Sequence, residues 1–287
     1  MNIRIIPRLD IKGPNLVKGI HLEGLRVLGK PESFAKYYYE NGADELIFVD
    51  VVASLYQRNS MKDIISKTAQ EIFIPLTVAG GIRTIENIKD ILRAGADKVA
   101  INTAAIQNPE FIRTASRLFG SSTIVVSIEA MLENGKYLVY TDNGREYTGV
   151  EALDWAKKAE ELGAGEILLT SIDREGTGEG FDEELTIMVS KAVSIPVIAC
   201  GGCGSLEHVA GIIRNGGADA VSMASVLHYS VAGRSDVSKI PGEGNTEFLR
   251  SGRSLSTITP LEISAIKKYL RLHAISCRHE LDGTNAR

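Results

Sequence analysis

Two carboxylates close short apolar runs in this chain, Asp10 after the run at 3–10 and Glu129 after the run at 123–129. Facing carboxylates divide acid and base work when their surroundings hold their pKa values apart. A second chemistry is written in glycine. Gly80-Gly81 is followed by Asn102-Thr103, and Gly201-Gly202 by Ala224-Ser225. Glycine lets backbone N–H groups approach an anion, and a short helix after it presents its positive end, so each set has the character of a phosphate cradle. Two cradles imply a ligand with a phosphate at each end. Asp50 and Thr170-Ser171 also close apolar runs and complete the set of residues at strand ends. Cys200-Gly-Gly-Cys203 has the spacing of a metal or redox pair, but its glycines belong to a repeated loop and no second Cys/His pair lies nearby.

The elements that position these residues occur twice. Residues 74–81 (IPLTVAGG) return at 195–202 (IPVIACGG), with Pro75 and Pro196 separated by 121 residues. Gly-Ala-Asp-Glu45 is echoed by Gly-Ala-Gly-Glu166 at the same offset, and Asp97 by Asp219 at 122. A repeat this long exceeds the roughly 20–50 residues of solenoid units and means two fused half-domains. Eight Ile/Val/Leu-rich runs, at 3–10, 45–50, 74–79, 98–102, 123–129, 166–171, 196–200 and 219–223, alternate with amphipathic stretches at 31–41, 85–94, 150–162 and 207–215. That is the pattern of a parallel sheet buried on both faces. A single (β/α)8 barrel over 1–287 is expected, since a twofold repeat of four units closes naturally and an open doubly wound sheet does not require one.

Residues 136–140 followed by Asp142-Asn143-Gly144-Arg145 predict a hairpin after the fifth strand. The Gly/Ser-rich, charged stretch at 230–256 reads as a flexible insertion, and 280–287 as a disordered tail. Thr259-Pro260-Leu261-Glu262 predicts the start of a last helix running over 260–273. A net charge of −4 with no basic, aromatic-interleaved block argues against nucleic-acid binding. No apolar run approaches the ~18 residues of a membrane span. Three cysteines and no cationic, apolar leader fit a reducing cytoplasm.

Residues 5–12 (IIPRLDIK), 16–19 (LVKG), 42–46 (GADEL), 73–83 (FIPLTVAGGIR), 95–99 (GADKV), 166–174 (EILLTSIDR) and Gly176-Thr177 closely resemble the cyclase subunit of imidazole glycerol phosphate synthase, over about 2–229. The resemblance implies a half-barrel duplication and an ammonia-dependent reaction. A bis-phosphorylated ribulosyl aminoimidazole carboxamide nucleotide would be converted to imidazole glycerol phosphate and the carboxamide ribonucleotide, in histidine biosynthesis, with no metal or organic cofactor. By position it makes Asp10 an acid/base and Lys18 a mobile first-loop lysine that closes over substrate. It assigns phosphate contacts to Gly81, Asn102, Thr103, Thr170, Gly176, Gly202, Ala224 and Ser225. It also implies a glutaminase partner, with Arg4, Glu45, Lys98 and Glu166 as a salt-bridged ammonia gate and Asp97 at the subunit contact. Taken alone, charges at strand starts are ordinary rim residues, but four pointing into one barrel end need mutual neutralisation.

Three residues depart from the family pattern. Glu129 stands where the family has a second catalytic aspartate, Glu175 replaces an aspartate of the loop after strand six, and Arg8 replaces the usual cysteine. Misplacing a carboxylate by about 1 Å costs on the order of a hundredfold in rate, and a cation beside Asp10 lowers its pKa. Two other readings therefore stand beside the cyclase. One is a paralogue passing ammonia to a nucleotide sugar in surface-polysaccharide amidation. The other is a non-catalytic scaffold that activates a glutaminase.

Overall fold

The computed structural model describes residues 2–52, 59–232 and 258–278. Eight parallel strands close on themselves in the order β1 (Arg4–Lys12), β4 (Leu46–Asp50), β5 (Leu76–Ala79), β6 (Lys98–Ile101), β7 (Ile124–Glu133), β10 (Glu166–Ser171), β11 (Val197–Cys200) and β12 (Ala220–Met223). Pairing of β12 with β1, Arg4 opposite Ala220, completes the ring. The expected (β/α)8 barrel is the fold.

Strand alternation sorts the side chains into two cores. On β1, Ile5, Leu9 and Ile11 point outward into a core shared with helices Pro31–Glu40, Leu206–Arg214 and Ile263–Leu272, while Ile6 points into the lumen. There Ile6 clusters with Ile47, Ala100, Val125, Leu168, Ile198 and Ala220, an apolar layer across the barrel. The repeated Gly-Ala-Asp motif locks register. Asp44 accepts from Ile5 N–H at 2.8 Å, and Asp97 and Asp219 accept from Leu76 and Val197 N–H, both at 2.9 Å. Each carboxylate thus ties the start of the preceding strand to its own. Asp44 also pairs with Lys267 at 2.8 Å, docking the C-terminal helix.

Two hairpins leave the ring at opposite points. β8 (Lys136–Thr141) and β9 (Glu146–Glu151) form the expected one, and its Asp142-Asn143-Gly144 turn runs at positive φ. The other, β2 (Asn15–Ile20) with β3 (Glu23–Gly29), follows β1 at the corresponding place in the first half. The last helix starts later than expected, at Ile263 with Glu262 as N-cap, and no side chain caps it. The helix Ser225–Val231 runs into the stretch expected as an insertion; 233–256 of that stretch, and 280–287, lie outside the described residues.

Candidate functional site

The sequence motifs gather at the C-terminal end of the strands, where barrel enzymes carry their chemistry. β1 and β7 are four places apart in the ring of eight, so Asp10 and Glu129 enter from opposite sides. Between them lies a dense buried charge cluster. Arg8 Nε donates to Asp10 Oδ1 at 2.8 Å, Lys18 Nζ reaches Asp10 Oδ2 at 3.3 Å, and Lys18 also pairs with Glu175. All four of these side chains, with Glu129, are less than a tenth exposed. Lys18 is on β2, whose Val17 is paired with Asp10. It lies in the segment between the first strand and the first helix, held in a sheet and two ion pairs. Packing explains it: Leu16 and Val17 bury opposite faces of β2, and His21 N–H ties the hairpin tip to Glu175 O at 2.9 Å.

Position in the cluster sets each charge. Burial would raise the Asp10 carboxyl, but Arg8 and Lys18 overcome it and hold Asp10 below the usual carboxylate range. Burial would likewise strip the proton from Lys18, yet Glu175 and Asp10 keep it charged. Glu129 goes the other way. Its burial outweighs the pull of Arg8 and of the Gly144 N–H, 2.9 Å from Oε2, and its carboxyl rises from 4.5 to about 7. The two opposed carboxylates are thus separated in the sense acid–base chemistry needs, with Asp10 ionised and Glu129 poised near neutrality. Burial, reinforced by the charge of Lys18, lowers His228 to about 3, so its ring is neutral and shares a 2.7 Å hydrogen bond with Tyr38.

Both glycine pairs form cradles. Gly80 and Gly81 (φ +97° and +65°) border a cleft of about 800 Å³ with Asp50, Asn102 and Thr103. Gly201 and Gly202 (φ +96° and +99°) border one of about 260 Å³ with Glu175, Gly176, Ala224 and Ser225. Only glycine suits these turns, since a Cβ on Gly202 would overlap the Gly180 carbonyl oxygen and one on Gly80 that of Asp50. Asn102 and Ala224 occupy the N-cap positions of the matching short helices Thr103–Gln107 and Ser225–Val231, with closely similar backbone angles. Thr170 lies apart from both cradles, fully buried in the lumen with Oγ1 3.5 Å from Arg8 Nη1. Cys200 is buried against Arg8, 3.6 Å from Nη1, and burial holds its thiol up; Cys203 is free and buried as well.

At the opposite end of the lumen, Arg4 bridges Glu45 at 2.8 Å and Glu166 at 2.7 Å, and Lys98 bridges the same two at 3.2 and 2.9 Å. The ring is closed and alternating in charge. Asp97 is exposed beside it, with one oxygen engaged by Leu76 N–H.

Sequence reasoning missed the closure of the mouth. Leu22 from the first hairpin packs with Leu138, Tyr140 and Ile172. Asn143 Nδ2 donates to Leu22 O at 3.4 Å, so the two hairpins meet above the charge cluster.

Residues 4–232 match the model of a family described as histidine biosynthesis protein. Imidazole glycerol phosphate synthase subunit HisF of Legionella pneumophila is 60% identical over 208 residues, covering 72% of this chain and 98% of that protein. The chain belongs to this cyclase-subunit family. Proteins of the same name from Methanococcus vannielii (49% identical, 84% of this chain and 95% of the relative) and Methanocaldococcus jannaschii (50%, 79% and 90%) are similar along most of their length. Membership accounts for the duplicated half-barrels and the closed eight-stranded ring. Among the described residues no helix is long and apolar enough to cross a membrane.

Proposed function

We propose that this chain is the synthase half of a glutamine amidotransferase. In this reading it takes ammonia from a glutaminase subunit and converts the bis-phosphorylated ribulosyl aminoimidazole carboxamide nucleotide into imidazole glycerol phosphate and the aminoimidazole carboxamide ribonucleotide. The observation that carries the reading is coaxial. One lumen has the Arg4/Glu45/Lys98/Glu166 ring at its lower end, an apolar layer above it, and the Asp10/Glu129 cluster between two glycine cradles at its mouth. Apolar walls suit neutral ammonia, and twin cradles suit a phosphate at each end of the acceptor. Glu129, near its midpoint at neutral pH, takes and returns protons; Asp10 stays ionised and balances Arg8 and Lys18. The carbamoyl-imidazole nucleotide is gripped through Gly81, Asn102 and Thr103 on one side and Gly202, Ala224 and Ser225 on the other, and Asp97 faces the glutaminase.

One observation favours a second reading. Arg8 grips Asp10 at 2.8 Å, which holds as an anion the group that the resemblance makes an acid/base. A chain that uses ammonia on a different acceptor, such as a nucleotide sugar amidated for surface polysaccharide, fits that change. Turnover of the nucleotide by the purified chain with saturating ammonium salt at alkaline pH separates the two. Rates of roughly 0.1 to 10 per second, usual for enzymes, support the cyclase. Binding without turnover overturns it in favour of the other acceptor, and neither binding nor turnover points to a scaffold.

A further inference from the structure

The resemblance leaves Arg8 without a role, yet it occupies the most consequential place in the lumen. It projects from β1 one layer above the apolar ring of Ile6 and one layer below Asp10, and is 2% exposed. Ammonia rising from the charge ring meets it before any acceptor atom. Its three nitrogens are used unequally. Nε is committed to Asp10 at 2.8 Å, Nη1 has only long contacts to Thr170 Oγ1 and Cys200 Sγ, and Nη2 is buried with no partner. Leaving a buried donor unpaired is costly, the more so when it is charged. An unpaired, charged, buried donor beside the cleft points to a ligand atom. Arg8 also lines the floor of the larger cleft beside Ser127, Glu129 and Leu168.

We propose that Arg8 Nη2 donates to the acceptor oxygen that becomes negative when ammonia adds to the carbon bearing it. This rests on the synthase reading above. The nitrogen lone pair forms the C–N bond and the carbonyl π pair moves onto oxygen, where Nη2 meets it. The Glu129 carboxylate takes a proton from the new ammonium and returns it to the oxyanion, giving the neutral carbinolamine. A second proton passes from the nitrogen through Glu129 to the same oxygen as it departs as water, leaving the imine and regenerating the carboxylate. Arg8 suits the task for three reasons. Its charge survives burial chiefly because the anionic Asp10, with Glu175, faces it. Its plane is oriented by Asp10. Its one vacant nitrogen matches a single oxygen; a phosphate, with several oxygens, has the glycine cradles instead. Donors aimed at a developing oxyanion contribute on the order of 10²–10³ in kcat.

The test compares wild type, Arg8→Met and Arg8→Lys in ammonium-dependent turnover of the ribulosyl aminoimidazole carboxamide nucleotide. Calorimetric binding of the same compound without ammonia and near-ultraviolet circular dichroism accompany it. The expected result is a kcat lower on the order of 10²–10³-fold in Arg8→Met with binding within about threefold, and a partial recovery in Arg8→Lys. Turnover in Arg8→Met within about threefold of wild type, or a loss that falls equally on binding, overturns the assignment. Where Arg8→Met loses its folded dichroism, Arg8→Lys decides alone, an unchanged kcat refuting the role. Wild type that binds but does not turn over this nucleotide refutes the cyclase reading, not Arg8. Formate, added to ¹⁵N-labelled wild type, is then the probe. A shift of the buried guanidinium resonance that Arg8→Lys removes supports the oxyanion site, and no shift overturns it.

Discussion

Glu129 is a group through which pH acts on the stability of this barrel near neutrality. Its carboxyl titrates at about 7 in the folded chain against 4.5 when free, because burial outweighs Arg8 and the Gly144 N–H. Between those two values the folded protein holds a proton that the unfolded chain has released, so stability falls as pH rises through the window. The separation is about 2.5 pH units, which at 1.36 kcal/mol per unit amounts to about 3 kcal/mol lost above neutrality. Glu129→Gln keeps the shape and an oxygen for Gly144 while removing the ionisation. The variant is therefore expected to exceed wild type by about 3 kcal/mol at pH 8 and to converge on it below pH 4.5, the lower end of the window. Urea unfolding of both proteins across this range reads the effect. The difference between the two curves isolates Glu129 from every other titrating group, since the two proteins share them. Thermal midpoints should separate at high pH by roughly 2–4 °C per kcal/mol for a chain of this size. A difference curve that stays flat from pH 5 to 8 would refute the reasoning, since it would mean the carboxyl is solvated or paired as well folded as unfolded.

Asp10→Asn leaves Arg8 and Lys18 facing a neutral group, so turnover should be abolished while calorimetric substrate binding stays near wild type; equal activity would sink the role. Gly202→Ala forces a Cβ against the Gly180 carbonyl oxygen at φ +99°, which should cost about 1–3 kcal/mol of backbone strain and weaken equilibrium binding of the bis-phosphorylated substrate, and unaltered affinity would contradict the cradle. Lys98→Met leaves Glu45 and Glu166 sharing Arg4 alone; urea unfolding should register a loss of about 1–3 kcal/mol, below the 3–5 of a fully buried pair because the cations are partly exposed. Ammonium-dependent turnover of that variant should be unchanged, as the ring lies at the far end of the lumen from the cluster.

Much of this architecture is legible in the chain because a doubly buried strand has few ways to be written. Runs such as 166–171 coincide with β10, and the others fall within a few residues of their strands. The Asn-Gly turn announces the second hairpin, whereas the first turns through His21 and Leu22, non-glycine residues at φ +49° and +63° that carry no turn signature. Tertiary contact with Glu175 and Ile172 supplies what local chemistry does not. The same gap hides the surroundings of Lys18: its sequence neighbours say nothing of charge partners, and the register of β2 against β1 shows it buried between two carboxylates. The cradles are recognisable because they occur twice. The separate fates of Asp10 and Glu129 are not, because they depend on which one Arg8 touches and which one burial dominates. The last helix illustrates the converse: Thr259-Pro260 has the right letters for a start, but the helix begins three residues beyond Pro260.

The unlike surroundings of the two cradles carry a further consequence. Duplication builds matching jaws, and matching jaws alone would let a two-ended guest enter either way round. Here the Gly80 jaw opens over the lumen toward Arg8 and Glu129, whereas the Gly201 jaw is walled by Glu175, Cys203 and Met223. A ligand with two unlike ends meets different neighbours at each jaw, so one polarity is favoured. Ancestral symmetry thus provides the grip, and its later erosion provides a direction, so that only one carbon of the guest is presented above the lumen.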